Sequence, residues 1–338
     1  MAYSSGGTIQ AIDYNYFTWG GNTTGTYSGT INNLAMVWGR GTGYKGYGQD
    51  VSLISTVPTA TLTTTITATQ WAGLVYTLNR TLGHQGGAAS QLATGSNIGI
   101  TAGATITAFA NVSTAIGTIN SSANTYTALG TVTTGTVFQN FINFFAGNVG
   151  QPVTVANSAT VGRRITFTSG DAARYFFNAG GRIRWYCNAT SLSSTLRAAD
   201  LVTNWGTNQA GGEISGTASL GRIGTGGTVG ANVTTAGYWA LTTGNTTVSR
   251  ITSANYRYEY NQDFTLINAR VTSTNVSGNG DNGSVIELYA NVFMQGLIAG
   301  PTSYNDRVNV DFGWRVDIVA PETTYLANTW GVIGVTSF

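Results

Sequence analysis

Between Thr81 and Gly162 the chain runs for 82 residues without a single Asp, Glu, Lys or Arg. A helix that faces water ordinarily carries charged side chains on its polar face, and here only Thr, Ser, Asn and Gln are on offer. Two solutions exist: short uncharged groups cover an exposed surface, or the stretch lies against other protein. The second is favoured, because the cores of protein interfaces are depleted of charge. The scarcity extends beyond this stretch, since charged residues make up 8% of 338, against about a quarter in an ordinary soluble protein. A compact chain of 35.3 kDa exposes roughly 13,000 Å², about 470 Å² for each charge.

The charges that do exist are gathered at one end. Arg163 to Phe338 holds 12 arginines and 11 acidic residues. A boundary near Pro152 to Arg163 is therefore expected, with 1–155 a low-charge docking or assembly region and 156–338 a mainly antiparallel β domain. Hydrophobic residues at 42% and aromatics at 11% exclude a disordered chain. The net charge of +2 and a single lysine, Lys45, leave no basic tract for a phosphate backbone, so nucleic acid is not an expected partner. Cys187 is alone and cannot form an internal disulfide; His84 is alone too, which excludes Cys/His zinc centres. No cofactor is expected. No apolar run reaches the about 18 residues of a membrane span, and Met1 to Asp13 lacks the basic and apolar segments of a signal peptide. The expectation is a soluble chain, not membrane-inserted and not exported by that route.

Short helices are legible in the N-terminal part. Ile31, Leu34, Ala35 and Trp38 share a helical face, with Thr30 as a cap and Gly39 as a stop. Thr67-Ala68-Thr69-Gln70 has capping-box spacing, followed by Trp71, Leu74, Val75, Leu78 and Leu82 and then Gly83. Inside the uncharged stretch, Phe109, Val112, Ile116 and Ile119 fit a helical stripe, as do Phe138, Phe141, Ile142 and Phe145. The intervening Thr131 to Thr136 reads as strand, and the region stays ambiguous between the two.

Beyond Arg163 the period shifts towards two. Arg164 to Thr168 and Arg182 to Cys187 alternate as strands, with a helical turn at Asp171 to Asn178 between them, stopped by Gly180-Gly181. Ser194 to Trp205 is a further helix, with Gly206 as its stop. Tyr256, Tyr258 and Tyr260 alternate with Arg257 and Glu259. Ile267 to Thr272 and Val285 to Phe293 flank a turn-rich tip at Gly278 to Gly283, and Val308 to Val319 and Trp330 to Val335 add two more strands. The fold class is α+β, mainly β: short helices and Thr-rich strands first, then an antiparallel β-sandwich-like domain.

Few motifs carry chemistry. Gly41-Thr42-Gly43-Tyr44-Lys45-Gly46 matches a dinucleotide-loop pattern, but it follows a helix where that site needs a strand, so a Gly/Tyr loop is the better reading. His84 is a helix cap or interface hydrogen-bonder, with no nucleophile distinguishable from the Ser-rich background. Cys187, alternating with Trp185, reads as a small buried hydrophobe. The acidic residues of the C-terminal part leave room for a glycosidase pair, whose spacing only geometry decides. More simply, Glu259 and Glu287 alternate with apolar strand positions, while Asp306-Arg307 and Arg315-Val316-Asp317 form surface ion pairs. Tyr256, Tyr258, Tyr260, Trp314 and Trp330 could stack on sugar rings or pair across strands in a core.

Several islands together have a familiar order. They are Asp13-Tyr14-Asn15, Gly46-Tyr47-Gly48-Gln49, Ile66-Thr67-Ala68-Thr69-Gln70-Trp71, His84-Gln85, Arg164-Ile165-Thr166-Phe167 through Ala172 and Arg174, Phe176 through Arg184, and Asn328-Thr329-Trp330-Gly331. This order resembles a recurring pattern in virion structural proteins of tailed, contractile-tail cyanophages. The resemblance implies a non-enzymatic building block of a tail, baseplate, neck or fibre appendage, with no catalytic residues to transfer. Beyond His84-Gln85 it does not cover Thr81 to Gly162.

The expected protein is thus a virion component acting through oligomeric assembly. Its partners are copies of itself, as a trimer if it belongs to a fibre, and other virion proteins. The expected interface residues are Trp38, Trp71, His84, Phe109, Phe138, Phe141 and Phe145. The alternative is an appendage that binds, or cleaves, a host surface glycan.

Overall fold

The computed structural model describes residues 11–19, 34–40, 46–55, 57, 66–92, 109–122, 129–133, 139–146, 157–192, 196–208, 212–216, 235–252, 264–274, 282–294 and 308–338. The chain is α+β, with its first helices preceding mostly antiparallel sheets. Helices α1 (Ala11–Trp19), α2 (Leu34–Trp38), α3 (Ala68–Gly86) and α4 (Phe109–Ser121) form a mutually packed layer. The capping box of α3 is formed as its spacing predicts: the Thr67 hydroxyl accepts from Gln70 N–H, and Gln70 Oε1 accepts from Thr67 N–H at 2.9 Å. Its apolar stripe buries Trp71, Leu74, Val75, Leu78 and Leu82, each worth about 1.5–3 kcal/mol on removal from water.

The helix does not stop at Gly83. It runs one turn further and ends where Gly87, at φ 80°, donates its N–H to the Gly83 carbonyl. Gly83 is inside the helix, and the Tyr325 ring occupies the space a side chain there would need.

Strands β1 (Leu129–Thr133) and β2 (Gln139–Ala146) resolve the ambiguous part of the uncharged stretch, and Phe141, Ile142 and Phe145 lie on β2 rather than on a helix. Phe138 and the Thr30 cap fall outside the described residues. Then come β3 (Asn157–Thr166), α5 (Gly170–Asn178), β4 (Arg182–Ser191), α6 (Leu196–Val202), β5 (Glu213–Ser215), β6 (Thr235–Gly237), β7 (Thr246–Thr252), β8 (Phe264–Val271), β9 (Val285–Met294), β10 (Val308–Pro321) and β11 (Gly334–Ser337). The expected helix stop at Gly206 is also overturned, because after Val202 the chain continues as a π-helical turn through Thr203–Asn208. That turn lets the Trp205 indole donate to the Gly313 carbonyl at 3.0 Å and sit edge-on to Phe312.

Among the described residues the strands make two sheets. One runs β1-β10-β4-β5-β6, with β2 also on β10; the other runs β11-β3-β9-β8-β7. The long β10 is the organiser of the first sheet. One edge pairs with β4 over Val310 to Val319, and the other is shared by β2 and β1. The boundary at 155/156 is therefore not where the fold divides, since β1 and β2 from the low-charge half complete the sheet of the charged half. Inner faces of both sheets meet in one apolar cluster that includes Ile183, Trp185, Phe312, Trp314, Ile267, Leu288 and Val292. Arg163 of β3 reaches across, its guanidinium 5.6 Å from the Trp314 ring centre. Among the described residues no helix is long and apolar enough to cross a membrane.

Candidate functional site

The segments 46–49, 84–85, 176–184 and 328–331 meet at one joint between the helical layer, α5 and the segment linking β10 to β11. The loop after α2 folds back on that helix, with Tyr47 N–H on the Val37 carbonyl and Gln49 N–H on the Trp38 carbonyl, both at 2.8 Å. Gly46 and Gly48 are required there by close approach. A side chain on Gly46 would strike the Val37 backbone; one on Gly48, at φ +74°, would strike the Tyr175 ring. The dinucleotide-like pattern thus ends in a wedge between α2 and α5, where Asn178 Nδ2 donates to the Gly46 carbonyl at 3.1 Å.

Gln49 fastens this loop to the far end of the chain. Its amide donates to the Ala327 carbonyl and accepts from Ala327 N–H, at 3.0 and 2.8 Å, so that one side chain pairs with a backbone as a strand would. Thr329 donates its hydroxyl to the Tyr47 carbonyl, and Gln85 donates to the Tyr47 hydroxyl at 2.9 Å. The Tyr47 and His84 rings meet edge to face, 4.7 Å between centres.

His84 lies within the last turn of α3, fully buried, with Nδ1 3.0 Å from Glu322 Oε1. The other carboxylate oxygen accepts from Thr324 and Tyr325 N–H at 2.6 and 3.2 Å. Burial by itself raises the Glu322 pKa, but these hydrogen bonds and the His84 ring hold it below its ordinary value. The pair cross-links residues 238 positions apart.

The expected interface residues divide. Trp38 and Trp71 are buried in the chain's own core, the first with its indole N–H on the Asp50 carbonyl at 2.8 Å. With His84 they are corrected to internal positions, because the chain's own packing already buries them. Phe109 opens α4, and Phe141 and Phe145 sit on β2 opposite the β10 edge, Phe145 in register with Asn309. The candidate sugar-stacking Trp314 and Trp330 are likewise buried, and Tyr256, Tyr258 and Tyr260 lie outside the described residues.

Acidic groups are tied to cations. Asp171 pairs with Arg174, Glu213 with Arg182 and Arg184, Glu287 with Arg164 and Arg270, and Asp317 with Arg315. Asp317 is buried, so its pair is not the surface contact expected. Cys187 is a buried thiol, and burial pushes its pKa well up.

What the uncharged stretch turns towards solvent is visible on α4. Val112, Ala115, Ile116 and Ile119 face the core, while Asn111, Ser113, Thr114, Gly117, Thr118 and Ser121 are exposed. Gly117 has open space where a side chain would stand. No protein-family model, curated protein or solved structure matches this chain.

Proposed function

We propose that the chain is a non-enzymatic building block of a virus particle, of the tail, baseplate, neck or fibre appendage, and that it works by assembling with copies of itself and with other virion proteins. The observation that carries this reading is the exposed face of α4. It is uncharged and built from small residues, and at its centre stands a glycine that costs the isolated helix about 0.5–1 kcal/mol relative to alanine. Among the described residues no contact calls for that glycine; the close approach of a second backbone would. The resemblance in the order of the islands supports the particle, and the tying of acidic groups to arginine or histidine supports a structural rather than catalytic use of charge.

The test is the mass of the purified chain at micromolar concentration by light scattering, with Gly117→Arg as the variant. The wild type should be an oligomer, a trimer if it belongs to a fibre. The variant should fall towards the monomer with an unchanged melting curve, because its side chain enters solvent. A monomeric wild type, or a variant with the wild-type mass, refutes the reading.

A further inference from the structure

The outer face of the second sheet carries a pattern that its own stability does not require. Side chains alternate along each strand, so Ile286, Leu288, Ala290 and Val292 of β9 point inward and Tyr289, Asn291 and Phe293 point out. Register sets Phe293 beside Phe264, Asn291 beside Leu266 and Tyr289 beside Asn268. These half-buried rows are aromatic and amide, with one leucine, Leu266. They line a shallow depression of about 290 Å³ that also takes in Thr160 and Asn245, at the small end of the range for ligand sites.

Its polar groups are preorganised. Thr247 donates its hydroxyl to Asn268 Oδ1 at 3.0 Å, and Thr160 does the same to Asn291 Oδ1. With each amide oxygen engaged, the plane of each amide is fixed and its NH₂ is the donor left for a ligand. The aromatic wall is rigid as well: Phe293 stacks on Phe264, centres 4.8 Å apart and planes 19° apart, and the Arg250 guanidinium lies 4.5 Å from the Phe264 centre. Tyr289 is held by its hydroxyl on Glu287 and by the Phe338 ring.

We propose that this depression is a binding site for a neutral glycan. Hexopyranose rings present an apolar C–H face that lies against an aromatic wall, and vicinal hydroxyls that match amide donors, while the lining itself offers a charged ligand no counter-charge. The lining holds no ionised side chain among the described residues; around it Arg164 and Arg270 share Glu287, and Arg250 lies over the Phe264 ring. The site stands apart from the assembly reading, since it lies on β3, β8 and β9 and not on α4.

The full chain is tested on an array of immobilised neutral gluco-, galacto- and manno-hexasaccharides beside sialylated and sulfated glycans, with Asn268→Ala, Tyr289→Leu and Asn245→Ala. Asn245 is exposed on the loop before β7, so its variant does not disturb the sheet. Binding to at least one neutral class is expected, weakened tenfold or more by each variant at unchanged melting temperature and oligomeric mass. Binding to anionic glycans only, binding indifferent to the three variants, or no binding at all overturns the proposal. So does a change of oligomeric mass in the variants without glycan binding, which would make the face a subunit contact.

Discussion

Replacing Glu322 separates what its shape contributes from what its charge contributes. The carboxylate accepts from His84 on one oxygen and from Thr324 and Tyr325 N–H on the other, and it is buried. Glu322→Ala leaves all three without their acceptor. Leaving a buried polar group without its partner costs about 1–3 kcal/mol; Thr324 is exposed, so water replaces part of the loss, and about 3 kcal/mol in all is expected. Glu322→Gln keeps the volume. Its oxygen can take the two backbone donors while its NH₂ turns to an unprotonated Nδ1, so the cost falls to about 1–1.5 kcal/mol, that of one weakened hydrogen bond. With a urea m-value of about 3 kcal/mol/M for a chain of this size, the midpoint should drop by about 1 M for alanine and by about a third to a half of that for glutamine. The acid limb gives an independent check. Glu322 is held below its ordinary value near 4.5 in the folded state, so its contribution is full above that value and is lost as the pH falls through the lowered one. The gap between wild type and Glu322→Gln should therefore close in acid. Equal midpoints for the two variants, or a gap that persists at low pH, would contradict this account of the pair.

Two further outcomes follow from the same packing. Cys187 should resist aqueous thiol reagents in the native protein and react once the chain is unfolded; labelling at the native rate of a free thiol would mean that the strand carrying it opens readily. Gly48→Ala should destabilise by about 2 kcal/mol or more, read by the urea midpoint, since it meets both a left-handed backbone and the Tyr175 ring. A neutral Gly48→Ala would show that the loop moves off α5 at little cost.

Local devices are legible in the order of the residues. The capping box at Thr67, the stripe of α4, the alternation of β4 and the turn of α5 all depend on residues a few positions apart, and each forms where its spacing places it. Where the local expectation fails, distant contacts override it. Gly83 looks like a helix stop, and it is instead the place where Tyr325 needs room. The apolar residues at Phe141, Ile142 and Phe145 fit the helical period, and pairing with the edge of β10 makes their segment a strand. Nothing near His84 announces Glu322, and nothing near Thr247 announces Asn268 in an aromatic setting, because register and chain reversal bring them together.

Composition and period are properties of neighbouring residues, and they suffice for the class of the fold, the positions of its short elements and the concentration of missing charge in one segment. Three outcomes needed the folded chain: that Trp38, Trp71 and His84 belong to the interior, that the two halves share a sheet, and that Tyr47, Gln49, Gln85, Asn178 and Thr329 form one hydrogen-bonded joint. Those outcomes depend on which surfaces meet, and burial is a property of the pair of surfaces, not of either segment.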